Sequence, residues 1–154
     1  MEAKQRLSLD AKIALAVFVA VFAVYFFSLC PTIYPGPSAE AVCDVKGIGV
    51  IPPTAHPIWL ILGRLFGHVS SNTAYVLNLL SALFGAGTIA LLYAVLSQFS
   101  HIRTAEEEAR YQTHPYLGQV VALSGALLVA FCYPFWEGSV LAGSDTLNTF
   151  FLVF

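Results

Sequence analysis

The chain has 154 residues, of which 58% are hydrophobic and 10% charged, with a net charge of −2. Soluble domains carry roughly 25% charged residues, so this composition excludes a soluble globular enzyme and a disordered chain. A pI near 6.0 leaves no basic face for nucleic acid.

Residues 13–39, 65–102 and 111–136 contain no Asp, Glu, Lys or Arg. Runs of this length predict an all-α polytopic membrane protein. The expected architecture is three full transmembrane helices, an interfacial helix on the outer face and the start of a fourth span. All belong to one membrane domain over residues 1–154.

The first span is expected over 13–29. It rises roughly 26 Å at about 1.5 Å per residue, enough for a bilayer core. Lys4, Arg6 and Lys12 precede it, which keeps the N-terminus cytoplasmic. A cleaved signal peptide is the rival reading. The apolar run exceeds the usual h-region of about 7–15 residues and ends in no small-x-small site, so an uncleaved anchor is expected. Phe18, Phe22, Tyr25 and Phe26 read as packing residues.

The segment 30–72 is the expected outer loop. Cys30 and Cys43 both fall in it. An exported loop can be oxidised, so a Cys30–Cys43 bridge and a pair of free thiols are both open. Three cysteines without CxxC or Cys/His spacing argue against structural zinc. Glu40 and Asp44 are four apart, so they share a face of a short helix begun by Ser38. Two carboxylates there suit a divalent metal or a general base. The plainer reading is a solvated loop helix with a capping serine. His56, before Pro57, suits a phosphate partner, a proton donor or a metal ligand, against a plain helix-entry residue. Residues 58–69 are apolar but too short to cross, and Trp59 favours the interface. Arg64, within that segment, suits a bidentate phosphate grip, against snorkelling to headgroups. His68 reads as an interfacial residue.

The second span is expected over 73–96, after the cap-like Ser70-Ser71-Asn72. Asn78 inside it is expected to bond a neighbouring helix. Residues 97–116 form the expected cytoplasmic loop, with Arg103, Arg110 and Glu106-Glu107-Glu108. Lys and Arg then number five inside (Lys4, Arg6, Lys12, Arg103, Arg110) and two outside (Lys46, Arg64), which supports this orientation. The third span is expected over 117–136 and contains Cys132. Glu137 and Asp145 flank the outer turn that follows. Residues 146–154 begin a fourth apolar run that rises only about 14 Å. It implies further membrane helices, from the rest of the chain or from another subunit. No GxGxxG, Walker A, HExxH or GxSxG pattern is present.

The stretches Pro31-Thr32-Ile33-Tyr34-Pro35-Gly36-Pro37-Ser38-Ala39-Glu40, Pro52-Pro53-Thr54-Ala55-His56-Pro57, Leu62-Gly63-Arg64-Leu65-Phe66 and Leu77-Asn78-Leu79-Leu80-Ser81 carry a family resemblance. So do Phe135-Trp136 and Leu147-Asn148. In combination they resemble the N-terminal part of the bacterial DUF2723 membrane proteins. Those are similar to the transmembrane protein O-mannosyltransferases, of the GT-C glycosyltransferase type. The resemblance covers about residues 13–154. It implies a polytopic enzyme of the bacterial cytoplasmic (inner) membrane that transfers a sugar from a polyprenyl-phosphate donor at the outer face. It also implies that the first outer loop carries the acidic catalytic motif. The chain departs from the family at three places. Pro37 stands at the aspartate position of the loop motif, Pro52-Pro53-Thr54-Ala55-His56-Pro57 replaces the usual His-Pro-Pro-Gly-Tyr-Pro, and Gly143 stands where a glutamate is usual.

The resulting expectation gives Glu40 the role of base and Asp44 that of orienter or metal ligand. Arg64 or His56 holds the donor phosphate. Membrane lipid, the donor and further membrane helices are the expected partners. The competing expectation is an inactive membrane subunit with the same fold. A transporter fragment is weaker, because paired intramembrane charges are absent.

Overall fold

The structure is a computed structural model that describes residues 2–48, 56–68, 70–99 and 116–154, with side chains from residue 9 onward. Seven helices are described, and no strand occurs among the described residues. They are α1 (Glu2–Phe27), α2 (Pro37–Lys46), α3 (Pro57–Gly67), α4 (Thr73–Phe99), α5 (Leu117–Ala130), α6 (Tyr133–Val140) and α7 (Asp145–Val153). Leu9–Phe27 and Thr73–Phe99 are each long and apolar enough to cross a membrane. A helical polytopic membrane protein is therefore what the sequence builds. The first span ends at Phe27, two residues before the expected limit, and the second continues to Phe99, three residues past it.

α4 is the central helix and packs against α1, α5, α6 and α7. The reason lies in its small residues. Ser81, Ala82, Gly85 and Ala86 are all buried, and such positions let helix backbones approach closely inside a membrane. One core joins Val17, Val21 and Tyr25 of α1 to Ala82, Ala86, Ile89 and Tyr93 of α4 and to Ala122, Ala126 and Ala130 of α5. Leu15, Val19, Val121 and Leu128 lie outside it, exposed, as residues facing lipid tails would be.

The third span differs from its expectation. The sequence reading drew one helix over 117–136; the structure breaks it at Phe131 and Cys132 into α5 and α6, bent by 65°. Pro134 is the physical cause. It has no N–H, and its ring would clash with the carbonyl four residues before it. That carbonyl belongs to Ala130, and the Tyr25 hydroxyl donates to it instead at 2.8 Å. The fourth apolar run appears as α7, held on α4 by the edge-to-face pair Phe84–Phe150 at 5.4 Å.

α2 and α3 are the short helices between the first two spans. Gly36, at φ 98°, is the N-cap of α2, and Pro37 occupies its first turn, the position that suits proline. Ser38 was expected to start this helix. It does not cap it, and its hydroxyl is buried without a partner among the described residues. Gly47 ends α2 at φ 68°, with the Ile48 N–H bonded to the Cys43 carbonyl at 3.1 Å, a Schellman closure. α3 buries Trp59, Leu60, Gly63 and Gly67 and exposes Ile58, Ile61 and Leu65. It is the expected short apolar helix, with one face packed inward and one exposed.

Candidate functional site

α1 ends and α4 begins at one end of the bundle, and the segment between them is tied there by polar side chains. Asn72 caps α4, its Oδ1 accepting the Tyr75 N–H at 3.1 Å, as the cap-like stretch predicts. The Asn72 amide also donates to the Pro31 carbonyl at 3.0 Å. The Asn78 amide donates to the Cys30 carbonyl at 2.7 Å. Asn78 thus fixes the loop after α1; the expectation that it bonds a neighbouring helix is corrected. The Cys30 N–H donates to the Val140 carbonyl at 3.4 Å, and the Trp136 indole donates to the Ser28 hydroxyl at 3.3 Å. These contacts bring α6 to the same end.

A second core lies beneath this face. Val42 and Val45 of α2, Trp59 and Leu60 of α3, Leu77 and Leu80 of α4, and Leu147 of α7 close on one another. Val45 seats against Gly63 and Gly67, where any added Cβ would meet its methyl groups. The apolar side of α2 is thereby fixed, and Glu40, Cys43 and Lys46 are turned toward the surface.

Glu40 is exposed in the first turn of α2, and Asp44, one turn on, is half-buried. An acid in a first turn is favoured by the helix dipole. Among the described residues no group of three His, Cys, Asp or Glu side chains comes together to hold a metal ion. Glu40 and Asp44 therefore lack a third such ligand there. Pro37, at the aspartate position of the resemblance, has no acid to offer but starts the helix that carries Glu40.

His56 and Arg64 do not converge. His56 precedes α3 and its Nδ1 lies 3.4 Å from the Asn148 amide of α7. Arg64 is eight residues further, about 12 Å along the helix axis. It lines a hollow of about 660 Å³ together with Lys46 and His68. Cys30, Cys43 and Cys132 are free thiols, so the Cys30–Cys43 bridge weighed from the sequence is not formed in this structure. The Cys30 thiol donates to the Thr32 carbonyl at 3.2 Å. Thr54 and the rest of 51–55, together with Arg103, Glu106-Glu107-Glu108 and Arg110, lie outside the described residues.

The arrangement brings forward three residues to which the sequence assigns no role in a site: Lys46, His68, read as interfacial, and Asn148, named only in the family resemblance. Lys46 entered only as a charge in the orientation count. The signal that could have found it is the glycine after it, since Lys46-Gly47 marks a helix end and α3 returns past that end. The pairing of Asn148 with His56 spans 92 residues and has no local sequence signal.

Two apolar spans, a bent helix pair and a polar face built at one end of the bundle define an integral membrane protein of the helical class. The profile of the Protein O-mannosyl-transferase TMEM260 N-terminal domain matches residues 38–154, and the chain belongs to this family. Among curated proteins it is similar to Protein O-mannosyl-transferase TMEM260 of Mus musculus, with 28% identity over 149 residues. That alignment covers 90% of this chain and 18% of the mouse protein. No solved structure matches the chain.

Proposed function

We propose that this chain is the N-terminal part of a GT-C-type membrane glycosyltransferase that transfers a sugar from a polyprenyl-phosphate donor at the outer membrane face. Membership of an O-mannosyltransferase family supports the glycosyltransferase class. The observation that carries the site is Glu40: an exposed carboxylate in the first turn of α2, at the end of the bundle where α1 ends and α4 begins. In this reading Glu40 takes the proton of an acceptor hydroxyl. The hydroxyl oxygen attacks the anomeric carbon, the bond from that carbon to the phosphate oxygen breaks, and the polyprenyl phosphate leaves with the electron pair. Arg64 stands to the leaving phosphate as a fixed positive partner. Asp44 orients from the next turn of the helix, and His56, beside Asn148, contributes a second polar edge.

The N-terminus is cytoplasmic in this proposal, by the Lys/Arg count, and the face bearing α2 and α3 is the outer one. The bacterial inner membrane follows the resemblance to DUF2723 proteins. A second reading, an inactive subunit with the same fold, is favoured by Pro37, which cannot act as a base where related motifs carry aspartate. The complete protein, assayed for sugar transfer from a polyprenyl-phosphate donor and compared with Glu40→Gln, separates the two. Transfer by the parent that collapses in Glu40→Gln supports the enzyme. A parent silent with every donor supports the subunit.

A further inference from the structure

α6 and the loop after α1 meet at one end of the bundle. Trp136 and Glu137 follow Tyr133 by three and four residues, so one face of α6 carries all three. The Tyr133 hydroxyl donates to the Glu137 Oε1 at 3.1 Å. The Trp136 indole N–H is taken up by the Ser28 hydroxyl at 3.3 Å, which fixes the ring by its edge and leaves its face open. Tyr34, from the loop, comes within electrostatic reach of Tyr133. Tyr34, Tyr133 and Trp136 are 49%, 68% and 38% exposed. Among the described residues, ring pairs form only between phenylalanines, so these three rings stack on no other ring.

Glu137 is half-buried, and its partner is a neutral phenol; no cation is paired with it among the described residues. Three open π faces and an uncompensated carboxylate together attract a positive charge. A primary ammonium is strongly hydrated and seeks hydrogen bonds, which ring faces supply poorly. A quaternary ammonium has no N–H to satisfy and gains the ring faces directly. Aromatic residues also collect at headgroup level as a simple belt, but a belt needs no carboxylate among its rings. Phe27 and Phe131, 87% and 50% exposed, lie at the level of this cluster, since the Tyr25–Ala130 hydrogen bond ties the ends of α1 and α5 together. They offer apolar surface to acyl chains, so a cation joined to hydrocarbon fits better than a free one. We propose that Tyr34, Tyr133, Trp136 and Glu137 bind the trimethylammonium headgroup of a choline lipid, with the rings around its methyl groups, the carboxylate opposite its charge and the chains along Phe27 and Phe131. This binding stands apart from the sugar-transfer reading, since neither Glu40 nor Arg64 takes part in it.

The test is lipid binding by the complete protein in neutral detergent, read as the rise in melting temperature with added short-chain lipid. The probes are dihexanoyl phosphatidylcholine, the matching phosphatidylethanolamine and phosphatidylglycerol, and free choline. Phosphatidylcholine should bind saturably, and about fivefold or more tighter than either of the other two lipids. Free choline, which lacks the chains, should bind more weakly than phosphatidylcholine. A cation–π contact or a charge pair of about 1 kcal/mol corresponds to about fivefold in Kd, so Glu137→Gln and Tyr34→Leu should each weaken phosphatidylcholine binding by about that factor. Tyr34→Phe and Trp136→Phe keep a ring at each place and should retain most of the affinity. Arg64→Gln should bind as the parent does, which separates this site from the donor phosphate. Phosphatidylethanolamine or phosphatidylglycerol binding as tightly as phosphatidylcholine would leave only an aromatic belt and overturns the proposal. Parental affinity in the Tyr34→Leu/Glu137→Gln double variant overturns it as well. Should that variant fail to fold, Glu137→Gln, which keeps the side chain's shape, decides by the same measure.

Discussion

The Tyr25 hydroxyl donates to the Ala130 carbonyl at 2.8 Å, and Ala130 stands four residues before Pro134. The two facts are one arrangement. Proline frees the carbonyl, and a tyrosine from another helix takes it. Within a bilayer core an unsatisfied carbonyl is costly, so the bend between α5 and α6 and the burial of Tyr25, which has no exposed surface, depend on each other.

Tyr25→Phe removes the donor and leaves the ring. It should lower stability by about 1 kcal/mol, read as a fall in the melting temperature in detergent. Pro134→Ala supplies a backbone N–H at this position, available to the same carbonyl. Tyr25→Phe should then cost less, with a coupling of about 0.5 kcal/mol or more in the double-mutant cycle. Strict additivity of the two substitutions would show that the tyrosine and the proline act independently.

The glycines of the bundle should divide by what surrounds them. A Cβ on Gly85 would sit 2.9 Å from the Ser139 Cβ and 3.3 Å from a Tyr25 ring carbon. Gly85→Ala should therefore destabilise by about 1–3 kcal/mol through overpacking. A Cβ on Gly138 would meet nothing within 4 Å among the described residues, and this glycine lies inside α6. Gly138→Ala should be neutral or stabilising by up to about 1 kcal/mol, the helix-propensity gain. Paired melting curves of the two variants check both signs at once.

Much of the fold was legible because lipid imposes a simple rule: a helix that spans must be long and free of charge. Residues 73–96 obey it, and α4 begins at Thr73 as expected, since Asn72 is a side-chain cap that leaves a local signature. The bend at Cys132 was less visible, although Pro134 is in plain sight. Proline is tolerated in membrane helices when another group takes the freed carbonyl, and here that group is Tyr25, over 100 residues away. Glu40 and Asp44 could be read as one helical face from their spacing alone. Ser38 misled because serine is a common cap, whereas Gly36 at φ 98° sets this start. The association of Arg64 with Lys46 depends on how α3 folds back across the end of α2, and short-range spacing does not contain it.

The orientation rests on where Lys and Arg fall, and it predicts a labelling pattern. With Cys30→Ser and Cys132→Ser, the exposed Cys43 should react in intact cells with a membrane-impermeant thiol reagent. With Cys43→Ser added, a cysteine introduced by Arg103→Cys should react only after the membrane is opened. The reverse pattern would put α2 and α3 on the cytoplasmic side and remove the proposed site from the outer face.

Glu40 and Asp44 share a helix and differ in exposure, and this difference grades their expected effects. Glu40 is exposed in the first turn of α2, open to an acceptor, while Asp44 is half-buried one turn later. Removing a general base costs about 10²–10⁴ in rate, and removing an exposed carboxylate away from any packed contact changes stability by about 0.5 kcal/mol at most. Glu40→Gln in the complete protein should lose transfer within that range and melt like the parent. Asp44→Asn should lose less transfer, because it orients from the next turn and takes no proton itself. Parental kcat in Glu40→Gln would make Glu40 a solvated loop-helix acid. A greater loss in Asp44→Asn than in Glu40→Gln would move the base one turn along α2, toward the end where Lys46 and Arg64 stand.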